Sequence, residues 1–144
     1  MNYSQQIEIN IPREKVIELF DNPDNMKHWQ PGLISYEHLS GDHGKPGAKM
    51  LLRYKMGKRK IEMIETITVR DLPNEFSGTY EAKGVWNMVK NTFTEPSDGS
   101  TIWLSENEFK FKGFMKIMAA VMPGAFKKQS FKYMQQFKEF AEAE

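Results

Sequence analysis

At 144 residues the chain has the usual length of one domain, and a domain near that size buries roughly 70% of the surface its unfolded chain exposes. Lys and Arg total 20 against 19 Asp and Glu, a net charge of +1, which supplies no global field for collecting nucleic acid or acidic lipid. The absence of cysteine excludes disulfides, thiolate metal sites and a cysteine nucleophile.

The first residues, Met1 to Gln6, lack the basic and apolar regions of a secretion signal, so a cytoplasmic location is expected. From Tyr3 to Ile11 the odd positions are Tyr, Gln, Ile, Ile and Ile and the even ones polar, the period of two of a half-buried strand. Pro12 ends it, and Val16, Ile17, Leu19 and Phe20 give a short following helix one apolar face. Asn22-Pro23-Asp24-Asn25 breaks that helix before a second short turn through Met26 and Trp29. After Gln30-Pro31-Gly32 the pattern becomes strand-like for about eighty residues, irregularly so over Leu33 to Leu39, and Gly41, Asp42, Gly44 and Pro46 mark a turn region.

Ala48, Met50, Leu52, Tyr54 and Met56 then form one face of a strand, and Gly57-Lys58 marks a hairpin. Ile61, Met63, Glu65, Ile67 and Val69 form the inward side of the next strand. Phe76, Gly78, Tyr80 and Ala82 follow after the turn Asp71 to Asn74. Trp86 to Thr94 is a further strand of undetermined inward side, and Thr101 to Phe111 carries Trp103, Ser105, Asn107, Phe109 and Phe111 on one face. Beyond Gly113 the period changes. Phe114 to Met122 is apolar nearly all round, and Ile117 to Met122 is the longest apolar run, far short of the ~20 residues of a bilayer-spanning helix. A soluble protein without stable membrane insertion is expected. After Pro123-Gly124, Phe126, Ser130, Tyr133, Phe137 and Phe140 recur at threes and fours, predicting a long amphipathic C-terminal helix. The outcome is an α+β chain with about seven antiparallel strands, two short helices and a long final helix.

This order, together with Ile7-Glu8-Ile9-Asn10-Ile11-Pro12-Arg13-Glu14-Lys15-Val16, Trp29-Gln30-Pro31-Gly32, the Gly41 to Gly47 hairpin and Asp98-Gly99-Ser100-Thr101, resembles the START-like (SRPBCC) superfamily, and within it the polyketide cyclase/dehydrase-like branch. The resemblance spans most of the chain. It implies one domain over residues 1–144 with the helix-grip fold, in which a curved sheet grips the long helix around an apolar cavity. It further implies a small, largely apolar ligand that is lipid-, sterol- or polyketide-like. It carries over no catalytic signature, because fold membership does not by itself fix function.

Among individual residues, Glu65 stands out because it interrupts an apolar inward face. A buried carboxylate must raise its pKa, pair with a cation or meet a polar ligand, and a raised pKa suits a general acid or base. The alternatives are that a twist or bulge turns Glu65 outward, or that a core Tyr or Lys satisfies it. Tyr54, Tyr80, Asn91, Trp103 and Asn107 are candidates for orienting hydrogen bonds in an apolar pocket; ordinary cross-strand packing, with tips reaching solvent, is the competing reading. Met63, Met118, Met122 and Phe126 are candidate apolar contacts, since ten Met suit either adaptable ligand surfaces or gap-filling in a core. The segment before Pro123-Gly124 reads either as a movable lid or as a buried helix closing the sheet.

No metal site is expected, because His28, His38 and His43 lack ligand spacing and read as solvated loop residues. No phosphate loop or cofactor motif appears. Lys55, Lys58, Arg59 and Lys60 read as a solvated turn rather than a nucleic-acid patch. Three functions remain open on these grounds: binding of a small apolar ligand, a cyclase or dehydratase using Glu65 as acid/base, and a chaperone-cofactor-like interaction module. The oligomeric state is not legible.

Overall fold

The computed structural model describes all residues 1–144. Seven antiparallel strands form one sheet: β1 (Asn2–Ile9), β2 (Leu33–Ser40), β3 (Lys49–Met56), β4 (Arg59–Asp71), β5 (Glu75–Ala82), β6 (Val85–Ser97) and β7 (Ser100–Phe111). Their order is β1-β7-β6-β5-β4-β3-β2. Only β1 is out of sequence: its register pairs Ile7 with Trp103 and Tyr3 with Asn107. Four helices accompany the sheet: α1 (Arg13–Phe20) and α2 (Met26–Trp29), with a 3-10 turn at Pro23–Asn25 between them, then α3 (Phe114–Val121) and α4 (Gly124–Ala143). This is the helix-grip fold.

The alternation read from the sequence sets the concave face. Met50, Glu65, Tyr80, Asn87 and Phe109 oppose one another in a single row across β3 to β7. A second row runs through Phe93, Trp103 and Ile7, and there the core sits. Ile9, Val16, Leu19, Trp29, Phe93, Trp103, Met134, Phe137 and Ala141 form one buried cluster. Phe137 of α4 is fully buried and meets Phe20, Trp29 and Trp103 edge-on, with centroids 5.3–5.8 Å apart, the geometry favoured by ring quadrupoles. Helix α4 runs alongside β1 in the same direction. Polar ties hold it there: Tyr3 to Ser130 at 2.7 Å, Gln5 to the Lys127 carbonyl at 2.8 Å and Lys138 to the Glu8 carbonyl at 2.6 Å.

The structure adds to the sequence reading or departs from it in five places. Leu33 to Leu39 lies in an edge strand, and its irregular pattern has its cause in register shifts at Leu33/Ser35 and His38/Ser40; a bulge inserts a residue and breaks the alternation. A further shift between Ile67 and Val69 takes Val69 off the inner face and leaves it 37% exposed. The 86–94 strand proves to face inward with Val85, Asn87, Val89, Asn91 and Phe93, by their register with Phe111 to Trp103. Helix α3 is not a buried closure, since Phe114, Ile117 and Val121 are exposed. Of the histidines only His43 lies in a loop: His28 is on α2 and stacks on Phe140, and His38 is on β2 and stacks on His43.

Candidate functional site

The middle of the concave face lies between two packed regions. On one side is the aromatic core; on the other, Phe126 at the start of α4 packs on Phe109 and Phe111, with centroids 5.2 and 4.9 Å apart. Between them Met50, Met63, Glu65 and Tyr80 are half-buried. Protein surrounds Glu65 closely enough to raise its pKa by desolvation, yet it keeps accessible surface, as a group in the wall of a concavity does.

Glu65 sits on β4 and points inward because the bulge comes after it, at Ile67. Its register partner on β5 is Tyr80, whose hydroxyl donates to Glu65 Oε2 at 2.7 Å. Of the alternatives open in the sequence, a neighbouring tyrosine is the one found: no cation pairs with this carboxylate. Burial raises the Glu65 pKa, and the Tyr80 bond only partly offsets that rise, because hydrogen bonding favours the charged form while desolvation disfavours it. Burial and the nearby Glu65 carboxylate both push the Tyr80 phenol up, so it acts as a neutral donor.

Two further phenols converge on this pair. Tyr54 of β3 is buried, and its hydroxyl donates to Gln30 Oε1 at 2.6 Å, the residue that ends α2. Burial raises its pKa, with additional contributions from Tyr133 and Glu65, which are close enough to act on its charge. Tyr133 reaches in from α4 and is likewise raised by burial, Gln129 partly easing the rise. Its buried hydroxyl makes no hydrogen bond of ordinary geometry. Gln5 Oε1, Trp29 Nε1 and Gln136 Oε1 are also buried and unpartnered, and such groups are rare because each costs about 1–3 kcal/mol. A carboxyl group and three neutral phenols, carried by β3, β4, β5 and α4, thus lie near one another, with Tyr54 close enough to Glu65, Tyr80 and Tyr133 for their charges to interact. Together they can hold a ligand's polar group by hydrogen bonds, or exchange a proton with it.

The remaining candidates fall into other groups. Trp103 is buried in the core and its indole donates to Asn91 Oδ1 at 2.9 Å, so its tip does not reach solvent. Asn107 donates to Ser105 at 3.0 Å, and its Oδ1 accepts from Asn87. They form two separate bonded groups, Trp103 with Asn91 and Asn107 with Ser105 and Asn87. Met118, on α3, is half-buried, and Met122, which ends that helix, is 50% exposed. Tyr133, Gln30 and Gln136 were missed in the sequence; Tyr133 lay within the apolar stripe of α4, where its spacing read as core. No cluster of three His, Asp or Glu stands close enough to hold a metal ion, and no helix is long and apolar enough to cross a membrane.

Several solved structures share the architecture. A Zhui aromatase/cyclase from a Streptomyces species superposes with a TM-score of 0.83 at 10% identity, over 99% of this chain and 93% of that one. Ara h 8.0201 superposes at 0.77 and 15% identity, over 100% and 99%, and truncated norcoclaurine synthase from Thalictrum flavum at 0.73 and 14%, over 97% and 92%. At such identities the likeness concerns the fold. No protein curated for its function matches the sequence. The family model described as polyketide cyclase / dehydrase and lipid transport matches residues 1–142, and the chain belongs to that family.

Proposed function

We propose that the protein binds a small, largely apolar molecule with one hydrogen-bonding end, lipid-, sterol- or polyketide-like, in the concavity between β3–β6 and α4. The observation that carries this reading is the Glu65–Tyr80 pair, hydrogen-bonded at 2.7 Å on the inward row between Met50 and Asn87 and retaining accessible surface. Met63, Met118, Met122 and Phe126 supply the apolar walls, and Tyr54, Tyr80 and Tyr133 the polar end. Pockets of this makeup, mostly apolar with a few convergent polar groups, are the usual small-molecule sites.

Native mass spectrometry with decanol and decane as probes tests the reading. Decanol should bind and decane bind more weakly; Tyr80→Phe should weaken decanol about five- to tenfold, one hydrogen bond's net worth, and Met63→Trp should block both. Failure of every probe to bind, or binding indifferent to Met63→Trp, would sink the reading. A second reading, a cyclase- or dehydratase-type enzyme, is favoured by the burial that raises Glu65, since an elevated carboxyl pKa suits proton transfer near neutrality. Glu65→Gln separates the two: a binder retains its ligand, whereas an enzyme loses turnover and its cells change their metabolite profile.

A further inference from the structure

The chain's charge is balanced overall but not locally. Residues 109–138 carry seven lysines and no Asp or Glu, while the rest of the chain carries 13 Lys and Arg against all 19 acids. Of those seven lysines only Lys138 is in an ion pair, with Glu142. Lys127 and Lys128 stand in the opening turns of α4, whose first turn has no acidic residue and whose N-cap makes no side-chain hydrogen bond. Cations at the positive end of a helix dipole are unfavourable and are relieved by an external anion.

Within this basic segment α3 presents an unusual surface. Met115, Met118 and Ala119 turn toward the protein, Ala119 being buried. Phe114, Ile117 and Val121, spaced at three and four on the opposite face, are 63%, 61% and 72% exposed, and Met122 beyond them is 50% exposed. Lys112 and Lys116 flank this stripe, both exposed. Just past Met122, Gly124, Lys127, Lys128 and Phe131 bound an open depression together with Gln5 and Gln6. An exposed apolar stripe edged by unpaired lysines is the pattern of a helix lying in a membrane interface, where each lysine near an anionic surface adds attraction.

We propose that α3 and the first turns of α4 form a docking surface for an anionic phospholipid bilayer: Phe114, Ile117 and Val121 enter the interface, while Lys112, Lys116, Lys127 and Lys128 contact headgroup phosphates. The acidic remainder of the chain orients this face toward the bilayer. A second copy of the chain is a poor occupant, because a two-fold contact through this face sets the same lysines against themselves. The surface reaches only interfacial depth and does not depend on what the concavity holds.

Co-sedimentation with vesicles of phosphatidylcholine alone, and with vesicles of equal parts phosphatidylcholine and phosphatidylglycerol, tests the proposal. The protein should bind the anionic vesicles, leave them in high salt, and ignore the neutral ones. Ile117→Asp should lower binding about tenfold or more, the scale of one large apolar side chain, and Lys127→Gln and Lys128→Gln about fivefold each. Both lysines and Ile117 are exposed, so near-ultraviolet circular dichroism should be unchanged; Val121→Asp serves if Ile117→Asp fails that control. Equal binding to both vesicle types, or none to either, would overturn the proposal. So would self-association of the wild type that Ile117→Asp abolishes while vesicle binding stays absent. Decanol binding by the same variants reports on the concavity separately.

Discussion

Glu65 concentrates the residue-scale argument. Its inward direction is the one a period of two gives within its own strand, while the sequence left open an outward turn at a twist or bulge. Its partner could not be read so directly, because Tyr80 lies across a hairpin whose register depends on the bulge after Ile67. The raised pKa of Glu65 has a sign that can be tested. The folded protein holds the proton more tightly than the unfolded chain, so stability is highest below the ordinary carboxyl pKa and is lost as pH rises from there through the raised value. Glu65→Gln removes that loss and keeps an oxygen for Tyr80. Its melting temperature should exceed the wild type's at neutral pH, with the difference vanishing below about pH 4. Melting curves over a pH series check this; a constant difference would mean the charge of Glu65 is not responsible.

At the scale of elements, long alternating strands were legible and bulged ones were not. β3, β4 and β7 came out within a few residues of their ends, whereas β2 looked irregular because two register shifts interrupt its alternation. Gly78 explains how the β4 bulge is accommodated. A Cβ there would lie 2.8 Å from the Thr66 carbonyl oxygen, so the strands approach more closely than any side chain allows. Gly78→Ala should cost about 1–3 kcal/mol, the usual penalty of overpacking, read from equilibrium denaturation. No loss would mean the β4–β5 pair slides freely. α3 shows the opposite limit: apolar all round in sequence, it was consistent with complete burial, and only packing decided which face is covered.

For the whole molecule, α4 is gripped through its buried residues Met134, Phe137 and Ala141. Phe137 is fully buried among Phe20, Trp29 and Trp103, joining α1, α2, α4 and β7. Phe137→Ala should cost about 3–5 kcal/mol, a large share of the roughly 5–15 kcal/mol that stabilises a domain. The urea midpoint should fall sharply with little change in slope; a small shift would place the grip elsewhere.

By itself the sequence determined what depends on near neighbours: the alternation of the strands, the change of period after Gly113 and the stripe of α4. Those follow from backbone geometry repeated every two or 3.6 residues. Only the tertiary structure decided which phenols meet Glu65, that Trp103 and Asn91 satisfy each other, and that α3 leaves one apolar face bare beside unpaired lysines. These are contacts between residues distant in the chain, set by register, bulges and packing together, and no local period encodes them.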